Sequence, residues 1–138
     1  MNGDATVPPV GVEHGDRELI LVVEDHPALR NLFHRIIENM GYRVRTAASG
    51  GEALAAVRDE GLTPSLLVTD LIMPGMSGRV LADRLREIRP GIKVLFMSGY
   101  TDSAIVHHGV LDSGTPFIQK PFNASDLASK IREVLSAT

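Results

Sequence analysis

The stretch Leu19-Ile-Leu-Val-Val-Glu-Asp25 decides the fold. Five consecutive apolar residues, bounded by charge, read as a short strand covered on both faces, since a strand with one wet face would alternate apolar and polar residues. Working outward, Leu66-Leu-Val68 and Val94-Leu-Phe-Met97 repeat this pattern, and Tyr42 to Ala47 and Pro116 to Ile118 are weaker strand candidates. Helical spacing fills the intervals. Leu29, Leu32, Phe33, Ile36, Ile37 and Met40 form one apolar stripe, stopped by Gly41. Ala53, Leu54 and Val57 mark a shorter helix, with Ser49-Gly-Gly51 as its loop and start. Val80, Leu81, Leu85 and Ile88 mark a third, ended by Pro90-Gly91. Leu127, Ala128, Ile131, Val134 and Leu135 mark the last, with Asn123 or Ser125 able to cap it. Between Tyr100 and Gly114, Ala104, Ile105, Val106, Val110 and Leu111 fit helical spacing loosely and Gly109 weakens it, so a short or irregular helix is expected.

Strands alternating with helices predict a parallel sheet with helices on both faces, a doubly wound α/β domain. Residues 1–16, rich in Gly, Pro and charge, read as a tail or interdomain linker, and 17–138 as the compact domain. With 43% hydrophobic residues the domain can bury a core, and a net charge of -3 argues against a free-standing nucleic-acid binder. The absence of cysteine excludes disulfides and thiolate metal sites. No apolar run reaches the roughly 20 residues that span a bilayer, and residues 1–15 lack a signal peptide's apolar stretch, so a cytoplasmic domain is expected.

Ligands of such folds bind at the carboxyl ends of the strands. There the sequence places Glu24 and Asp25, Asp70, Ser98 and Lys120: three carboxylates, a hydroxyl and an ammonium. Clustered carboxylates need a cation among them, and an all-oxygen set without His or Cys suits Mg²⁺. A lysine at the far side of the crevice supplies a second positive charge, and a serine hydroxyl can donate to a phosphoryl oxygen. Such a set suits phosphoryl transfer by positioning and charge neutralisation, with Asp70 as the nucleophile. The five histidines do not form a zinc set; His107 and His108 would point to different sides of a helix, and His26 lies beside the acidic pair. Met73 and Met76 are expected to pack beneath the loop after Asp70. No G-x-x-x-x-G-K-[ST] phosphate loop is present.

Four segments carry a family resemblance. Val22-Val-Glu-Asp-His-Pro27 is similar to the acidic-pair motif of response-regulator receivers, and Val68-Thr-Asp-Leu-Ile-Met-Pro-Gly-Met-Ser-Gly78 resembles their phosphorylation loop. Phe96-Met-Ser-Gly99 resembles the segment bearing the switch hydroxyl, and Phe117-Ile-Gln-Lys-Pro-Phe122 the Lys-Pro motif. The likeness runs from about Glu18 to Leu135. It implies a flavodoxin-like five-stranded sheet of order 2-1-3-4-5. It also implies Mg²⁺ on Glu24, Asp25, Asp70 and the backbone carbonyl of Ile72, with Asp70 as phosphoacceptor. Ser98 and Lys120 would contact the phosphoryl oxygens, Phe117 would be the aromatic switch, and the Lys120-Pro121 bond would be cis. Ile72 and Tyr100, two residues beyond Asp70 and Ser98, would flank the path of the hydrolytic water and slow loss of phosphate.

The implied partner is a histidine kinase or histidine phosphotransferase, with no direct contact to nucleic acid or membrane; weak homodimerisation through the last two helices and the fifth strand is a family habit. The wording of Leu95 to Asp102 and Pro116 to Pro121 resembles C-terminal receivers of hybrid histidine kinases, a stand-alone regulator being the alternative. Two other classes compete with this one. A phosphohydrolase using an aspartyl-phosphate would place a second aspartate where Ile72 stands, so the chain is not expected to turn over a small substrate. A phosphorylation-independent binding module would be favoured by loss of Asp70 or Lys120, and both are present.

Overall fold

The computed structural model describes residues 17–99, 111–112 and 114–137. Five parallel strands form one sheet: β1 (Leu19–Val23), β2 (Arg43–Ala47), β3 (Leu66–Asp70), β4 (Lys93–Ser98) and β5 (Phe117–Gln119). Their order is β2-β1-β3-β4-β5, as the resemblance implies. Four helices are described: α1 (Pro27–Asn39), α2 (Gly50–Asp59), α3 (Gly78–Ile88) and α4 (Ala124–Ser136). The expected irregular helix between Tyr100 and Gly114 and the N-terminal tail lie outside the described residues, apart from Leu111 and Asp112.

The continuous apolar runs are central because both faces of the sheet are covered. All five residues of β1 and all five of β3 are buried. Alternate side chains point to opposite faces. Leu21, Val23, Leu67, Val94 and Phe96 pack with Ala53, Leu54 and Val57 of α2 and Leu81, Ala82 and Leu85 of α3. Ile20, Val22, Leu66, Val68, Leu95, Met97 and Ile118 pack with Phe33 and Ile37 of α1 and Leu127, Ile131 and Val134 of α4. β2, at an edge, is mostly half-buried, which accounts for its weak apolar signal.

Local chemistry sets the helix ends. The Ser49 and Ser77 hydroxyls accept from the backbone N–H groups of Glu52 and Val80, capping α2 and α3. Asn123, rather than Ser125, caps α4, in a reciprocal box with Asp126. Gly41 follows α1 with φ of 99°, the left-handed conformation a glycine stop supplies. No helix among the described residues is long and apolar enough to cross a membrane.

Candidate functional site

The sheet delivers the predicted residues to one edge. Glu24 follows β1, its backbone N–H donating to Ala47 O at 3.1 Å as an extension of the β1–β2 ladder. Asp70 ends β3 and Ser98 ends β4. The Lys120 backbone N–H donates to Ser98 O at 2.7 Å, tying the residue after β5 to β4. Beyond the cis Lys120-Pro121 bond, Phe122 stacks on Phe33 of α1 with ring centroids 5.3 Å apart. That stack ties the loop after β5 to α1.

One carboxylate oxygen from each of Glu24, Asp25 and Asp70 lies within 4.8 Å of the others. Glu24 is 1% and Asp70 4% exposed, whereas Asp25 is open to solvent. Lys120 does not stand at the far side of the crevice, as the sequence suggests. Its Nζ is 2.7 Å from Glu24 Oε1 and 2.6 Å from Asp70 Oδ1, between the two buried carboxylates. Asp25, Asp70, Ile72, Ser98 and Lys120, with Met97 and Gly99, line a crevice of about 160 Å³. Ser98 is buried; Ile72 is 61% exposed at the rim. Phe117 is half-buried against the α2–α3 side of the core. Tyr100, His107 and His108 lie outside the described residues. Met73 is buried, and Met76 is half-buried over Gly50, as expected for packing beneath the loop.

The electrostatics follow from this crowding. Burial, together with the adjoining Glu24, pushes the Asp70 carboxyl up to about 7, although Lys120 opposes the shift. Burial also acts to raise Glu24, but hydrogen bonds with Asp70, Lys120 and the His26 N–H outweigh it and hold Glu24 below the usual carboxylate range. Lys120 is raised: burial opposes its charge, and its two carboxylate partners more than offset that. Without a metal, Asp70 therefore keeps a proton to higher pH than an ordinary carboxylate does. A divalent cation would take the place of that proton, and the all-oxygen donor set, partly open to water, fits Mg²⁺ better than Zn²⁺.

Three contributors were not legible in the sequence. The Arg30 guanidinium donates to Glu24 O at 2.9 Å and approaches Asp25 O at 3.5 Å. The buried Thr69 hydroxyl donates to Asp70 O at 3.0 Å. Gly78 opens α3 directly against Asp70: a Cβ there would run into the Asp70 carbonyl oxygen. The closing glycine of the Met73-Pro-Gly-Met-Ser-Gly78 run was the available signal for the last of these.

The molecule is thus a flavodoxin-like domain with an acidic pocket and a lysine at the carboxyl edge of its sheet. The chain belongs to the response regulator receiver domain family, whose model matches residues 20–132. It is 38% identical over 116 residues to the sensor kinase CckA of Brucella abortus (strain 2308), covering 84% of this chain but only 12% of that protein. It is 33% identical over 118 residues to the response regulator receiver protein CpdR of the same organism, covering 86% of this chain and 97% of CpdR. Among solved structures, the receiver domain from the hybrid histidine kinase CckA matches with a TM-score of 0.71 at 34% identity, over 86% of this chain and 99% of that one. Vibrio cholerae chemotaxis protein CheY4 matches with a TM-score of 0.75 at 26% identity, over 86% and 98%.

Proposed function

We propose that this receiver domain is a phosphorylation switch in which Asp70 accepts a phosphoryl group from the phosphohistidine of a histidine kinase or histidine phosphotransferase. One observation carries the reading: a buried carboxylate at a strand end opens into a small crevice, flanked by two further carboxylates and gripped by a lysine. An Asp70 oxygen attacks phosphorus, the phosphorus–nitrogen bond breaks, and the departing imidazole keeps the bonding pair and takes a proton. The product is an acyl phosphate. Glu24, Asp25, Asp70 and the carbonyl of Ile72 would hold Mg²⁺, which when bound neutralises charge on the transferring group. Lys120 moves its ammonium from Asp70 onto a phosphoryl oxygen, and the Ser98 hydroxyl donates to another. Phe117 follows Ser98 inward and changes the surface beside β5, a two-state response to a local change of charge. Ile72, exposed at the crevice rim, screens the acyl phosphate from water.

Intact mass after incubation with acetyl phosphate tests the core of this reading. A Mg²⁺-dependent phosphate adduct, missing from Asp70→Asn, is expected; an adduct of equal size in the variant would remove Asp70 as acceptor. Ile72→Asn is expected to shorten the adduct's lifetime several-fold, by analogy with losing a water-excluding side chain at a reacting centre.

We further propose that the domain belongs to a hybrid histidine kinase, on the strength of its likeness to the CckA receiver. The near-complete coverage of CpdR favours a single-domain regulator as the second reading. An immunoblot of source cells separates them: a polypeptide several times longer than 138 residues supports the first, and one of that length the second.

A further inference from the structure

We propose that Arg30 is a positioning residue for the metal site, acting through the backbone of the acidic pair. The inference rests on the reading of Glu24 and Asp25 as Mg²⁺ ligands.

Glu24 is fixed at three points. Its N–H is spent on Ala47 O, and its carboxylate accepts from Lys120 Nζ at 2.7 Å and from the His26 N–H at 3.1 Å. Its carbonyl points instead toward α1, where Arg30 Nη1 donates at 2.9 Å. The same nitrogen stands 3.5 Å from the carbonyl of Asp25, an outer-limit contact that still places positive charge beside that peptide. Asp25 carries the exposed carboxylate of the cluster, on a turn between the end of β1 and Pro27 at the start of α1. The N-cap residue of α1, His26, makes no side-chain cap bond, so the turn is not braced from that side chain. Arg30, one turn into the helix, braces it through the main chain. Its backbone N–H also bonds to His26 O at 2.9 Å, so its own position is set by the first turn of α1.

Two effects of this guanidinium on a bound cation have opposite signs. Its charge repels Mg²⁺; its hydrogen bond holds the peptides that carry two of the ligands. Residues that orient metal ligands from outside the coordination sphere are commonly worth about 10–100-fold in affinity. The Arg30 guanidinium is half-buried and faces main-chain carbonyls rather than the carboxylates, and what solvent reaches it screens its repulsion of the cation. Positioning therefore wins, and removing Arg30 weakens Mg²⁺ binding although it removes a positive charge.

The test is calorimetric titration of Mg²⁺ into the wild-type chain, Arg30→Met and Arg30→Lys, with thermal unfolding of each in the absence of metal. Methionine keeps an apolar stem; lysine keeps the charge and a donor. Ile36→Val, a mild core change on the same helix, reports how far general loosening of α1 alone moves the affinity. Mg²⁺ affinity is expected to fall about tenfold in Arg30→Met and to recover at least partly in Arg30→Lys, and to stay at the wild-type value in Ile36→Val. Acetyl-phosphate labelling of Arg30→Met should need more Mg²⁺ but reach the wild-type plateau. Equal or tighter binding in Arg30→Met overturns the proposal, as does a loss that Ile36→Val reproduces. A wild-type chain that binds no Mg²⁺ overturns the metal-site reading itself, and the inference with it.

Discussion

The two ends of the sheet are built on different terms. At the carboxyl edge lie Glu24, Thr69, Asp70 and Ser98, which are all the buried polar or charged residues among those described. There Lys120 lies between two buried carboxylates, Glu24 and Asp70. At the opposite edge, Lys93 at the start of β4 donates to the carbonyls of Leu135 and Ala137 at the end of α4, at 2.8 and 2.6 Å. Those acceptors are main-chain groups with fixed partial charge and no proton to gain or lose. Both lysines sit at strand ends and both bridge separate elements. What differs is the partner: titratable carboxylates at one edge, main-chain carbonyls at the other. Between the two ends lie the two apolar faces that form the core.

The sharpest break between these regions should come from paired substitutions on β3. Leu67 is fully buried against the α2–α3 side, and Leu67→Ala is expected to cost about 2–5 kcal/mol by denaturant unfolding. Asp70→Asn, three residues along the same strand, removes one member of a repelling carboxylate set and should leave stability at pH 8 equal or higher while abolishing the phosphate adduct. A large destabilisation by Asp70→Asn would mean that the Lys120 ion pairs support the fold. Gly78→Ala should fall between them. The added methyl meets the Asp70 carbonyl, so α3 must shift, at a cost of about 1–3 kcal/mol, and labelling of Asp70 should slow in the same variant.

The charge at the carboxyl edge also makes a pH prediction with a definite sign. Asp70 titrates near 7 in the metal-free fold, against an ordinary value of 3.8. Between those values the folded chain holds a proton that the unfolded chain has released, so this group's contribution to stability is lost as pH rises through about 7. Mg²⁺ needs the ionised form. Apparent Mg²⁺ affinity should therefore rise about tenfold from pH 6 to pH 8, and the thermal stabilisation by Mg²⁺ should grow over the same window. An affinity flat across that range would show that Lys120 already keeps Asp70 ionised.

The same asymmetry governs what could be read from residues alone. The apolar runs of β1, β3 and β4 are legible because burial on both faces demands unbroken hydrophobicity, and each run ends at a residue of the site. β2 is legible only weakly, since an edge strand such as Arg43-Val-Arg-Thr-Ala47 is not required to be apolar throughout. The parts of the site that escape are those that act through the backbone. Nothing in the residue type of Arg30 or Thr69 announces that it donates to a carbonyl, and the need for Gly78 appears only once α3 is seen to start against Asp70. Lys120 is legible as a cation near the strand ends, but its reach to Glu24, 96 positions earlier, depends on the strand order.

Lys93 provides the smallest expected effect and the cleanest control. Its ammonium meets the last carbonyls of α4, where the helix dipole is negative, and such contacts are worth about 0.3–1 kcal/mol. Lys93→Met should lower stability by about that amount and leave Mg²⁺ affinity and the lifetime of the adduct unchanged. The corresponding change at the other edge, Lys120→Met, should do the reverse, slowing phosphoryl transfer far more than it alters unfolding, because the two carboxylates it releases can share a proton. If Lys93→Met instead altered the site, the two edges would be coupled through β4, whose first residue is Lys93 and whose last is Ser98.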